Sequence, residues 1–152
     1  MSLEVLARMR ALMAGIVVAF GVSVASEIAI QQLYPPGEGY YSGAVGAVDE
    51  YIASIPESGL WLMILGWSMS ALVGALIACL VGRRDLLRLV MVVTVASLMG
   101  TCSQFLLVEY PRWVVISGVF GVLLGGWGAF AIAQYLGLER VATDSQDQQE
   151  SK

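Results

Sequence analysis

The sequence contains no histidine, and only 13% of its 152 residues are charged. The missing histidine removes the commonest metal ligand and acid–base group, and with it a haem held by a proximal histidine. The shortage of charge sets the chain apart from soluble globular domains, which carry roughly 25%, because too few charged side chains remain to cover a surface in water. Cysteine is scarce as well. Cys79 and Cys102 form no CxxC pair, which argues against thiol–disulfide exchange of that kind. They fall at opposite levels of the apolar segments described below, much farther apart than the ~7 Å between Cα atoms that a disulfide tolerates. Both are expected to be small apolar packing residues. No glycine-rich phosphate loop followed by lysine and no metal-ligand spacing occur, no serine has a histidine base to activate it, and basic residues are not interleaved with aromatics as a nucleic-acid surface requires. The residues therefore point to no metal, cofactor, catalytic constellation or nucleic-acid partner.

What the chain has in abundance is apolar length. Hydrophobic residues make up 58% and the mean hydropathy is +0.77. Four apolar runs, at about 11–33, 59–81, 86–108 and 113–136, each reach the ~20 residues that an α-helix needs to cross a bilayer. The expected fold is all-α: a single four-helix transmembrane bundle over residues 1–140, followed by a polar tail, 141–152, with nothing to bury and expected to be disordered. Arg8 and Arg10 before the first run, with Ser23-Val24-Ala25 as a cleavage site, also fit a signal peptide. The apolar stretch continues past that site through Ile28-Ala29-Ile30, which favours a retained span.

Between the first two spans lies the long loop 34–57. Tyr34-Pro35-Pro36-Gly37 stops the first helix, since proline lacks an N–H and glycine frees the backbone. Val45, Val48, Ile52 and Ile55 then recur at helical spacing, with Asp49 and Glu50 on another face. This predicts a short amphipathic helix lying on the bundle, ended by Pro56. Arg8, Arg10, Arg83, Arg84, Arg88, Arg140 and Lys152 all fall on one side of the membrane and Arg112 alone on the other. By the positive-inside bias, both termini are cytoplasmic and the acidic long loop is outside. Tyr34, Tyr40, Tyr41, Trp61, Tyr110 and Trp113 gather at the outer boundary as an aromatic belt.

Small residues recur every four positions: Ala11, Gly15, Ala19 and Ser23 in the first span, Gly66, Ser70, Gly74, Ala78 and Gly82 in the second, and Ser117, Gly121, Gly125, Ala129, Ala133 and Gly137 in the fourth. In lipid, close backbone approach through such residues supplies the packing that hydrophobicity supplies in water. A row at this spacing drifts by about 40° per step, so a crossing helix meets only part of it. The expected use is packing within the bundle, with a homo-oligomer seam through Gly121 and Gly125 as the alternative.

Only one carboxylate, Glu27, lies well inside a span. Glu27 sits a turn or two within the outer boundary, four residues after Ser23 and four before Gln31, and intramembrane ionisable residues default to functional hypotheses because they are costly to keep there. Thr101 and Gln104 of the third span and Arg112 at the start of the fourth lie at a similar level. Together they suggest an outward-facing polar pocket, with Glu27 its anion, Arg112 its partner and Gln104 a hydrogen-bonding group across the bundle. The plainer reading is that Glu27 reaches the headgroups or forms a structural pair with Arg112.

Tyr51-Ile52-Ala53-Ser54-Ile55-Pro56 leading into the second span, Gly66-Trp67 and Val73-Gly74 within it, Arg83-Arg84 at its end and Pro111-Arg112-Trp113 opening the fourth resemble a group of small, uncharacterised four-span bacterial integral membrane proteins. The resemblance covers roughly residues 10 to 138. It implies the same fold and a bacterial inner membrane, and brings no activity. Relatives often place histidine before the proline and asparagine in the third span, where this chain has Tyr110 and Gln104. The expectation from sequence is a non-enzymatic structural or accessory component, its partners the lipid bilayer and either further copies or a larger membrane complex. The alternative is a small transporter or channel using the pocket around Glu27.

Overall fold

A computed structural model of the chain describes residues 3–41, 46–83 and 85–138. The expected tail, 141–152, and Val45, Arg84, Arg140 and Lys152 lie outside the described residues. Six helices follow in order: α1 (Leu3–Leu33), α2 (Glu38–Tyr41), α3 (Ala47–Ser54), α4 (Glu57–Gly82), α5 (Leu86–Leu107) and α6 (Arg112–Tyr135). Among the described residues there is no strand, and α1, α4, α5 and α6 are long and apolar enough to cross a membrane.

The helix ends follow local chemistry. Pro56 and Pro111 stand immediately before α4 and α6, where a missing N–H and a fixed φ cost nothing. Gly137, at φ 63, follows the last turn of α6 and donates its N–H to the Gln134 carbonyl, a glycine stop. The α4–α5 turnaround is tighter. Arg83 and Asp85 both adopt positive φ, 52 and 51, a left-handed backbone unusual for residues with a Cβ. The Asp85 carboxylate caps no N–H of α5 and instead meets Arg8 of α1 at 2.7 Å. That ion pair belongs to the stretch of α1 before Ala11. The helix starts at Leu3, ahead of the apolar run, because no proline or glycine interrupts residues 3–10.

α4 is the central helix. It packs along α1 on one side and α6 on the other, and α5 closes the bundle against α4, α6 and, more sparsely, α1. Going round, the order is α1, α4, α6, α5. The α1–α4 contact is antiparallel, with Gly15 on Gly74 and Ala78, and Ser26 on Gly66. The α4–α6 contact is parallel, with Ser68 against Gly121 and Gly125, and Leu72 against Gly128. α5 meets α6 where Thr94 lies against Gly126 and Phe105 against Gly118. The core divides along the bundle axis. Toward the chain termini it is rich in alanine, with Ala75, Ala78, Ala129 and Ala133 packed around Cys79, Leu86, Leu89 and Val93. Toward α3 it is built of large residues, including Ile52, Leu60, Ile64, Trp67 and Val122. Cys79 is buried in the half toward the termini, whereas Cys102 is exposed on the flank of α5 and packs in no core, which corrects its expected role.

Candidate functional site

The site is assembled by α1 and α5, which run parallel. At the end nearer the termini they converge: a Cβ on Gly15 would stand 3.1 Å from Val93. At the α3 end they are joined by one bond, in which Gln104 Nε2 donates to Glu27 Oε1 at 2.6 Å. Between these two contacts the helices leave a groove of about 330 Å³, lined on α1 by residues from Ile16 to Glu27, on α5 by residues from Val93 to Gln104, and floored by Ser70 of α4. On the other side of the Glu27–Gln104 pair lies a second cavity of about 170 Å³, roofed by Val48, Tyr51 and Ile52 of α3 and walled by Tyr40 and Tyr110. The pair is the shared wall of the two spaces.

Most polar atoms around it are already satisfied locally. Thr101 is buried and its hydroxyl donates to the Ser97 carbonyl at 3.0 Å. Ser70 donates to the Trp67 carbonyl at 2.9 Å, and Ser103 to the Gly100 carbonyl at 2.7 Å. These serve the backbone of their own helices, the usual habit of hydroxyls in apolar helices. The Ser97 Oγ is buried without a hydrogen-bond partner. Gln31 donates to the Tyr40 hydroxyl at 3.2 Å, Tyr51 donates to the Tyr34 carbonyl at 2.9 Å, and the Glu109 N–H donates to the Asp49 carboxylate at 2.8 Å. The last two bonds hold the roof helix, one to the end of α1 and one to the α5–α6 turn.

Glu27, Gln31, Thr101 and Gln104 are thus brought to one place, and Arg112 is not. Arg112 is exposed at the start of α6 and lines neither cavity. The reason is the order of helices: among the described residues α6 shares no packing seam with α1. The rings of Trp67, Phe105 and Tyr110, with centroids 5.3 to 5.8 Å apart, fill the α3 end of the bundle between them, with α6 seated on Trp67 and Phe105 through Gly118. Among the described residues no lysine or arginine lines either cavity, so the Glu27 carboxylate faces a carboxamide and phenols. Tyr110 registers this: its phenol is pushed up to about 12, first by burial and then by the charge of Glu27, with smaller contributions from Tyr40 and Tyr51.

The small-residue rows lie at the seams. Gly15, Gly66, Gly74 and Ala78 form the α1–α4 contact, Gly121 and Gly125 rest on Ser68 of α4, and Ala129 is fully buried in the alanine-rich core. In the chain described here, Gly121 and Gly125 are occupied within the bundle. Sequence reasoning overlooked Tyr40, Tyr51 and Tyr110 as cavity walls, having placed Tyr40 and Tyr110 in an interfacial belt. It also overlooked Gly100, on the rim of the groove. Its only sequence signal is its place four residues before Gln104, which puts both on one face of α5.

The fold and site define a four-helix bundle of membrane-spanning dimensions with a carboxylate between two cavities. Comparison with protein-family models, curated proteins and solved structures finds no match for this chain.

Proposed function

We propose that this is a multi-pass protein of the bacterial inner membrane, of the small transporter or channel type, that takes a small ligand at Glu27 in the outer half of the bundle. One observation carries the reading: Glu27, the carboxylate set within the apolar run 11–33, stands where two preformed cavities meet. The larger has the ~300 Å³ at which small-molecule sites begin. A structural pair has no need of two adjoining spaces. The placement of arginine and lysine supports the orientation, with the termini cytoplasmic and the α3 roof outside. The accessory role, as one subunit of a homo-oligomer or larger complex, is the competing reading, and it draws only on the apolar perimeter that every membrane bundle has.

The test is a ligand screen by thermal stability in phosphatidylcholine nanodiscs. A ligand that binds the folded state raises Tm by mass action. The expected result is a rise for the wild type with at least one water-soluble or amphiphilic ligand, abolished in Glu27→Gln. A protein whose Tm no ligand moves, and which purifies in fixed ratio with another membrane protein, would be an accessory subunit.

A further inference from the structure

The two ends of the α1–α5 groove are in register. Gln104 bonds Glu27, 77 positions earlier, and at the closed end Val93 stands against Gly15, 78 positions earlier, so the register holds to within one residue. Two parallel helices in nearly constant register enclose a straight slot. The eleven residue-to-residue steps from Ile16 to Glu27 make it about 16 Å long at ~1.5 Å per residue. Its closed end is apolar, formed by Ile16, Ala19 and Val93, and its other end carries Ser23 and Glu27 one turn apart on the same face of α1.

The slot opens through the side of the bundle. Phe20 on its rim is 72% exposed, Gly100 and Ser103 across from it are exposed, and a Cβ added at Gly100 would meet nothing within 4 Å. The mouth therefore faces the acyl chains.

Charge selects the head group. A carboxylate set among neutral carboxamide, hydroxyl and apolar groups leaves room for a counter-charge, and among the described residues neither cavity offers a lysine or arginine. A phosphate-bearing head would be repelled by Glu27. A bare divalent ion would need six or more oxygen ligands, and among the described residues no cluster of three acidic, histidine or cysteine side chains exists. Volume selects the tail. The groove, about 330 Å³ and about 16 Å long at ~1.5 Å per residue, matches one extended alkyl chain with its head.

Resting on the reading of Glu27 as the ligand-facing charge, we infer that the α1–α5 groove binds a single-chain alkylammonium ion, admitted sideways from the bilayer past Gly100. Its ammonium sits at the Glu27 carboxylate and the Ser23 hydroxyl, and its chain runs toward Val93.

The experiment measures equilibrium binding of radiolabelled dodecylammonium to the protein in phosphatidylcholine vesicles, above partition into protein-free vesicles. The expected result is a single saturable site in the wild type, with dodecanoate showing none. Affinity falls about tenfold or more in Glu27→Gln, which removes the charge, and in Gly100→Phe, whose Cβ meets nothing within 4 Å and whose ring stands at the mouth. Gly21→Phe, placed in open space on α1 and lining neither cavity, binds like the wild type. Equal binding by all four proteins, dodecanoate binding as tightly as the amine, or no saturable binding in the wild type would each overturn the inference. If dodecylammonium fails while a water-soluble ligand still raises Tm in a Glu27-dependent way, the sideways amine site falls and the proposed function stands. If neither ligand acts, both fall together.

Discussion

Along its face toward α4, helix α1 carries Gly15, Ala19 and Ser26, and the two backbones meet so closely that a Cβ on Gly74 would lie 2.6 Å from that of Ala19 and 2.7 Å from the Gly15 carbonyl oxygen. Toward α5, one residue and about 100° round the same helix, it carries Ile16, Phe20, Ser23 and Glu27, and there the helices stand apart around a groove. Nothing in overall hydrophobicity separates the two faces. In lipid, association depends on shape. Where glycine lets backbones meet, the helices close on each other, and where side chains hold them apart a space persists that polar groups can line. The α1–α4 contact is the part of α1 that makes the bundle, and the α1–α5 contact is the part left available for a ligand.

The sharpest way to break this contrast is to fill the closed face. Gly74→Leu should lower stability by about 3 kcal/mol, the upper part of the range for overpacking, because backbone and not a flexible side chain stands in the way. Gly125→Leu, which meets the Ser68 backbone, should do the same to α6. Denaturant unfolding of the purified protein measures both. Alanine sharpens the contrast with one methyl group. Gly74→Ala should destabilise by about 1–2 kcal/mol, whereas Gly100→Ala, with open space around it, should stabilise by about 0.5–1 kcal/mol through its better helix propensity. Two glycine-to-alanine changes of the same sign would show that the faces do not differ in closeness.

Breaking the Glu27–Gln104 bond should cost less. Hydrogen bonds between membrane helices average ~0.6 kcal/mol, so Gln104→Leu should move the unfolding midpoint little while abolishing any Glu27-dependent ligand response. A large loss of stability would make the pair a structural clamp. The smallest effect expected is spectroscopic. The Tyr110 phenol keeps its proton up to about 12, while an unfolded tyrosine releases it near 10. Between those values the unfolded chain binds fewer protons, so Tyr110 subtracts stability as pH rises through that window. Ultraviolet titration of phenolate should show Tyr110 and Tyr51 ionising late, both raised first by burial, with the Tyr110 step lost in Tyr110→Phe and shifted down in Glu27→Gln as the neighbouring charge goes.

Much of the scaffold is legible in the chain. The four runs, the stops at Pro35-Pro36, Pro56 and Pro111 and the turnaround at Arg83 place α1, α4, α5 and α6 within a few residues of their ends; only the start of α1 departs, since a helix continues past the apolar run until something breaks it. The loop helix around Ile52 is likewise visible in its spacing, although its burial of Tyr51 and Ile52 over a cavity is not. The polar residues of the site can be picked out by type, but not their grouping. Arg112 and Gln104 are equally plausible partners for Glu27 along the chain, and only the order of helices separates them.

Span number, span length and turn positions are determined by the sequence alone, because each rests on a local sum: the transfer of some twenty residues into lipid, or the missing N–H of one proline. Which helices become neighbours is decided by the tertiary structure, since shape fit between segments far apart in sequence is a pairwise property that no single segment contains. That step made α4 central, set α1 beside α5 in parallel register, and paired Glu27 with Gln104 while leaving Arg112 at the edge of the bundle.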